Sequence, residues 1–382
     1  MARRPKLDDL RTVLMEELNA RLAKAKSAAR VYRASDCPFL APPRGFTPTG
    51  LWGLDAIVTR GRGMPWGRFI EIYGPEAAGK TALLEYLVGA FLREKSVPQY
   101  FDFEASLDPK HLACYGVDLE QIMTPEAYSV EDVWDVIDGV MKIVEERRAS
   151  IAKAGGDPDD EPPVPFFWDS IAQTPAQAEL DEKSHDDSHI ALAPRALAKA
   201  FRKHTRRFSR TNGIVFFVNQ IRDNIGAVGH APKTKTTGGR AARFAYSVRL
   251  SMAKVQTLKK NERPIGQLCR VTTTKNKFTP YPLSVDLVLS YRRGLDPDWS
   301  NFLWLQSARQ ILPGGEKGVF KLRGQSSKFR RKEFGDYARA HDDIIQAAIT
   351  AARDKLIGVD PSTPESDDAA DDDEVESGGD DE

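Results

Sequence analysis

Residues 70–81 read "IEIYGPEAAGKT". An apolar run from Ile70 to Tyr73 leads into Gly74-x-x-x-x-Gly79-Lys80-Thr81, and "KTALLEYLVGAFLRE" continues at helical spacing. A strand that passes through such a loop into a helix is the setting in which a phosphate cradle works. Glycines let backbone N–H groups turn towards phosphate oxygens, and the helix start adds its positive dipole end. Gly74, Pro75, Glu76, Ala77, Ala78, Gly79, Lys80, Thr81 and Ala82 are therefore the expected nucleotide contacts. Lys80 is expected to reach the β- and γ-phosphates of ATP, and Thr81 to offer its hydroxyl to Mg²⁺.

Outward from this loop the chain alternates strand and helix. "PQYFDFE", "VPFFWDS" and "GIVFFVNQ" read as strands, and "SVEDVWDVIDGVMKIVEERRASIAK" and "IALAPRALAKAFRKHTRRFSR" as helices. Near-continuous apolar strands between helices predict an α/β fold, with a mostly parallel central sheet covered on both faces. From 246 onward "YSVRLSMAKV", "LCRVTTTKNKF" and "SVDLVLSYRRG" follow as strands without helices between them. Before the core, Leu10, Val13, Leu14, Leu18 and Leu22 mark an amphipathic helix over 7–25, followed by a Pro-rich linker. The expected division is a helix and linker over 1–47, the core over 48–295, a small mixed domain over 296–358 with a helix across 333–357, and a disordered tail over 359–382.

With 382 residues, 41% hydrophobic and 29% charged, the chain has the composition of a soluble globular protein. No apolar run approaches the ~18 residues of a membrane span, and "MARRPKLDDL" has no apolar stretch behind its basic residues. Cys37, Cys114 and Cys269 are far apart and form no metal-ligand spacing. A reducing, cytoplasmic setting without membrane contact is expected. His185 and His189 stand at i, i+4, but no H-E-x-x-H pattern supports a metal there. The formal net charge of zero hides an asymmetry. Residues 365–382 hold 11 acids and no Lys or Arg; set aside from the total of 55, they leave 44 acids against 55 basic residues. A basic body with an acidic tail has two readings: a polyanion partner that the tail mimics, or a tail that only aids solubility.

Hydrolysis needs more than a cradle: an acid near the metal and a group that positions water. "VPFFWDS" brings Asp169 to a strand end, suited to hold Mg²⁺ through its water shell. "YFDFEASLDP" brings Glu104 to another, where a carboxylate can polarise the attacking water. "VNQ" brings Gln220 to a third, where its amide can sense the γ-phosphate. Each alone reads equally as a solvated strand end; three beside one cradle read as a site.

These strings, with "WDSIAQTPAQAEL", "DDSHIALAPRAL", "NQIRDNIG", "KTTGGRAARFAYSVRL" and "TTTKNKF", have the order and spacing of bacterial RecA recombinases. Phage recombinases of the same superfamily are also similar. The resemblance runs from about residue 8 to 356 and takes in the flanking pieces as well as the acidic tail. It implies a RecA-type P-loop ATPase core, a DNA-dependent ATPase that forms a helical filament on single-stranded DNA, with ATP between subunits, and that pairs a homologous duplex for strand exchange. Glu104 then activates water, Asp169 serves Mg²⁺ and Gln220 senses the γ-phosphate. Lys275 and Lys277 match two lysines lent across the interface to the neighbour's ATP; taken alone they read as an exposed strand-end pair. Asp108 sits where the family contacts the adenine amino group, and His111 stands where a stacking tyrosine is usual. "RVYRASD" (30–36) resembles the strand that members add to a neighbour's sheet. Two readings on the same core stay beside this one: a filament-forming scaffold without strand exchange, and a hexameric helicase.

The resemblance also implies two DNA-binding loops, around 181–193 and 221–239, each about one residue longer than usual. Ile190 matches an apolar position that can wedge between bases. Arg195, Lys199 and Arg202 make a basic stripe at i, i+4, i+7. With Arg222, Arg240 and Arg243 they are expected to track phosphates. Asn224, Ile225 and Gly226 lie in the second loop, and Gly238 and Gly239 let the backbone approach DNA. Positions that are basic in relatives, at the site for the incoming duplex, read Ala253, Lys254 and Thr272 here; Lys328, Arg330 and Arg331 in "KFRRK" offer compensation.

Overall fold

The structure, a computed structural model, describes residues 7–37, 42–181, 192–223 and 234–358. It divides into two compact units, split between Trp304 and Leu305.

The first unit opens with α1 (Leu7–Lys24). A single turn of 3-10 helix at Ala34–Asp36 follows. The segment 30–36 is therefore not a strand in the single chain; a strand there needs a second chain's edge to pair with. Next come β1 (Phe46–Thr47), α2 (Trp52–Thr59) and β2 (Met64–Pro65). The core proper then runs β3 (Phe69–Gly74), α3 (Lys80–Arg93), β4 (Gln99–Asp102), α4 (Pro109–Cys114), α5 (Val130–Lys153), β5 (Val164–Asp169), α6 (Gln177–Leu180), α7 (Leu192–Phe208), β6 (Gly213–Asp223), β7 (Thr234–Thr236), α8 (Gly239–Ala245), β8 (Val248–Lys260), β9 (Arg263–Asn276), β10 (Ser284–Ser290) and β11 (Gly294–Asp296). Helix α9 (Pro297–Ser307) ends this stretch.

The central sheet has the order β11-β10-β9-β8-β3-β6-β5-β4, with β7 paired to β6. Strands β4, β5, β6, β3 and β8 pair in parallel, as the apolar strand–helix alternation predicts. Strands β8 to β11 pair antiparallel, because no helix separates them in the chain. Both faces of the parallel part are buried. On one, Phe69, Trp134, Trp168, Phe201, Phe217 and Tyr246 pack together. On the other, Phe91 meets Phe167 and Phe216 edge-on. The alternation Phe166, Phe167, Trp168 sends neighbours to opposite faces, and each large ring contributes about 1.5–3 kcal/mol on burial.

Helices α5 and α7 are fastened by charge as well as packing. Ser129 and Asp132 form a capping box at the start of α5. Asp138 accepts from Lys203 at 2.7 Å and also from Arg207, and Glu145 takes the same guanidinium at 2.7 and 2.9 Å. His204, buried, stacks on Trp134 at 4.8 Å.

In the second unit β12 (Ile311–Pro313), β13 (Val319–Leu322) and β14 (Lys328–Arg330) form a three-stranded antiparallel sheet. The single helix expected over 333–357 is two, α10 (Phe334–Ala340) and α11 (Asp342–Ile357). His341 breaks it at φ −131°, ψ 48°. Its ring stacks on Tyr337, and Asp342 and Asp343 open the new first turn. Among the described residues no helix is long and apolar enough to cross a membrane.

Candidate functional site

The strand register brings distant residues to one edge. Gly74 pairs with Gln220, and Asp102 with Asp169, so β3, β5 and β4 end together beside β6. Strand β6 itself runs on to Asp223 because Ile221–Asp223 pair with β7, so Gln220 lies inside its strand and not at its end as the sequence suggests. Gly74 must be glycine for this: a Cβ there would lie 2.2 Å from the carbonyl oxygen of Met252 in β8. The phosphate loop leaves this edge through Ala77 and Gly79, at φ 54° and 92°, and enters α3 at Lys80.

Lys80 is folded back, its Nζ donating to Gly74 O at 3.1 Å and Pro75 O at 2.8 Å. Burial lowers its pKa, opposed by the carboxylates of Asp169, Glu104 and Glu76. Thr81 Oγ1 donates to Asp169 Oδ2 at 2.7 Å, and Tyr100 OH to the same oxygen at 3.3 Å. Burial lifts the Asp169 carboxyl to about 6, and its Oδ1 has no hydrogen-bond partner. A buried carboxylate oxygen without a partner, beside a threonine hydroxyl, fits a hydrated Mg²⁺.

Glu104 and Gln220 meet: Gln220 Nε2 donates to Glu104 Oε1 at 3.0 Å, and Ser170 Oγ donates to the same oxygen. Glu104 lies two residues beyond β4, not at its last position as the sequence suggests. The strand stops at Asp102 because that carboxylate caps the following turn. It accepts from the backbone N of Glu104 at 3.3 Å, Ser106 at 3.1 Å and Leu107 at 3.0 Å, around Ala105 at φ 49°. Asp108 in turn caps α4, accepting from Lys110 N at 2.8 Å. Its own N–H donates to Glu85 Oε1 at 3.0 Å, and the other oxygen of Glu85 is 3.4 Å from His111 Nδ1. Glu85 is buried, which raises its pKa. Ser170, Asp102 and Glu85 were not anticipated; an acid two residues before Glu104 was the visible trace of Asp102.

Asn219 joins this edge to the returning second loop. Its Nδ2 donates to Thr237 O at 2.9 Å and to Glu71 Oε1 at 2.8 Å, and Thr237 N donates back at 3.2 Å. Glu71, fully buried, has a burial-raised pKa and is bonded by Arg249, whose guanidinium also lies over the Tyr73 ring at 4.6 Å.

Lys275 and Lys277 are not brought to this edge. Glu71, Arg249 and Lys275 are level across β3, β8 and β9, so Lys275 lies three residues below Gly74. That is about 10 Å along the strands. Lys275 Nζ donates to the carbonyls of Arg243 at 2.6 Å and Phe244 at 3.0 Å, at the end of α8. Burial lowers its pKa to about 8, helped by Lys277 and Arg249. Lys277 lines a pocket of about 230 Å³ with Arg68, Phe69 and Ser247, at the start of β3.

Arg195, Lys199 and Arg202 stand exposed along one face of α7, whereas Lys203 and Arg207 are taken up by α5. Arg222 lies in β6 and Arg240 in α8; Arg243, half-buried, lies on α8 as well. Gly238 and Gly239 turn at φ 97° and 68° into α8. Ile190, Asn224, Ile225, Gly226 and the tail from 359 lie outside the described residues. Among the described residues, no three His, Cys, Asp or Glu side chains gather as a metal cage.

Residues 45–146 and 165–296 match the family described as the RecA N-terminal domain. Protein RecA of Bifidobacterium breve is 30% identical over 329 residues, 86% of this chain and 76% of its own length. Protein RecA of Pseudarthrobacter chlorophenolicus is 28% identical over 369 residues, covering 93% and 95% of the two chains. Protein RecA of Campylobacter jejuni is 36% identical over 248 residues, covering 65% and 66%.

Proposed function

The chain belongs to the RecA family, and from that premise we propose that it hydrolyses ATP when assembled on single-stranded DNA and pairs that strand with a homologous duplex. The observation that carries this reading is the division of its polar groups between two places. Thr81, Asp169, Glu104 and Gln220 converge beside the phosphate loop, while Lys275 and Lys277 face away from it. A pocket that holds Lys80 but not Lys275 and Lys277 of its own chain is completed by stacking a second one. Hydrolysis is then tied to filament assembly.

In this reading the loop N–H groups and Lys80 bind the phosphates, and His111 lies against adenine, oriented by Glu85. Glu104 takes the proton of the attacking water, held in position by Ser170 and Gln220. Thr81 and Asp169 hold Mg²⁺, which neutralises phosphate charge when bound. Gln220 and Asn219 join the site to Thr237 and the second loop, so phosphate state and DNA grip change together. Arg195, Lys199, Arg202, Arg222, Arg240 and Arg243 track the DNA backbone.

The test is ATP turnover with and without single-stranded DNA, for the wild type and Lys80→Ala. DNA should stimulate the wild type strongly and leave Lys80→Ala inactive. Turnover indifferent to DNA overturns the proposal.

A further inference from the structure

The phosphate loop is held from outside by a residue that belongs to none of its motifs. Ala77 has φ 54°, a conformation that a residue with a Cβ keeps only when its surroundings fix it. Its carbonyl oxygen accepts a 2.7 Å hydrogen bond from Gln267 Nε2. Gln267 comes from β9, 190 positions away, and is 3% exposed. Its own amide is fixed in turn: Tyr291 OH donates to Oε1 at 3.3 Å, and Nε2 also lies 3.2 Å from Cys269 Sγ. The same floor limits the loop at Gly79, where a Cβ would come within 3.3 Å of Cys269 Sγ and Leu289 Cδ2.

The planarity of the peptide gives this contact a consequence. The carbonyl of Ala77 and the N–H of Ala78 belong to one rigid unit and point in opposite directions. Anchoring the oxygen to the floor of the loop aims that N–H into its hollow, where a phosphate oxygen would accept it. We propose that Gln267 is a positioning residue for nucleotide binding: by holding the Ala77 carbonyl it sets the direction of the Ala78 N–H and thereby the affinity of the loop for a nucleoside polyphosphate. This rests on the reading that residues 74–81 bind nucleotide.

The experiment titrates a fluorescent ADP with Mg²⁺ into the full chain, without DNA, so that assembly is not required. Gln267→Met keeps length and shape but removes the donor. Its ADP affinity should fall about 3- to 10-fold, the range for one lost hydrogen bond, while kcat at saturating ATP and DNA stays within about 2-fold. Tyr291→Phe should weaken ADP about 2-fold in the wild type and not at all in Gln267→Met, since it acts only through the glutamine. A lowered melting temperature with unchanged ADP affinity in Gln267→Met would overturn the inference. If that variant does not fold, unchanged affinity in Tyr291→Phe overturns it equally. A wild type that binds no ADP defeats the functional reading instead.

Discussion

Gln220 Nε2 and Glu104 Oε1 are 3.0 Å apart, an amide in β6 bonded to a carboxylate in the loop after β4, 116 positions away. The group that would polarise water and the group that would sense phosphate are thus one hydrogen-bonded unit.

Breaking that unit from the acid side should stop turnover without emptying the pocket. Glu104→Gln should reduce ATP hydrolysis by about 10²- to 10⁴-fold, the usual contribution of a general base, with ATP and DNA affinity retained. Filaments of this variant should persist in ATP, which electron microscopy over time checks.

Breaking it from the amide side should uncouple rather than inactivate. Gln220→Leu should leave ADP affinity unchanged but bring DNA affinity in a non-hydrolysable ATP analogue close to that in ADP. A preserved difference between the two nucleotides would argue against Gln220 as the link.

Asp102 holds the turn that presents Glu104, so its removal should act through Glu104. Asp102→Ala should lower kcat by about 10-fold or more, in line with the loss caused by small displacements of reacting groups. Added to Glu104→Gln it should cause little further loss of turnover. Steady-state kinetics of the two single variants and the double variant decides this.

Lys275 gives a pH dependence. Its ammonium has a pKa lowered to about 8, mainly by burial, so the free chain loses this charge as pH rises through 8. DNA-stimulated assembly should decline above that pH. Lys275→Arg, always protonated, should move the decline upward; an identical alkaline limb removes Lys275 from the interface.

Asp55 gives a second pH dependence, in stability. Burial lifts its carboxyl to about 7 from 3.8, against hydrogen bonds from Thr49. The folded chain therefore keeps a proton that the unfolded chain has lost between about pH 4 and 7. The contribution to stability is full below pH 4, falls through this window by up to about 1.4 kcal/mol per pH unit, and is flat above it. The melting temperature of the wild type minus that of Asp55→Asn should decline from pH 5 to 7 and then level off.

The phosphate loop and the parallel strands were legible in the sequence because each is written in consecutive residues with a fixed period or spacing. Of the three polar residues expected at strand ends, Asp169 ends β5, while Glu104 lies beyond β4 and Gln220 inside β6. Supports that join remote segments were not. Nothing near Ala77 announces Gln267, and nothing in "RKHTRRF" distinguishes Arg202, left exposed, from Lys203 and Arg207, which pair with Asp138 and Glu145 on another helix. The break at His341 was hidden for a different reason. The helical pattern continues on both sides of it, and His341, whose ring lies on Tyr337, carries no breaker signal in the sequence.

Strand β9 has Gln267 beneath the phosphate loop of its own chain and, eight residues on, Lys275 turned away from it. On the proposed function, such a strand gives every subunit a donor end and a receiving end, a head-to-tail contact that builds an open row wherever its rotation does not close a ring. An open row of subunits has one terminal pocket without a neighbour's Lys275 and Lys277. The smallest oligomer able to hydrolyse ATP is a pair, and turnover per subunit climbs with length as the idle end is diluted.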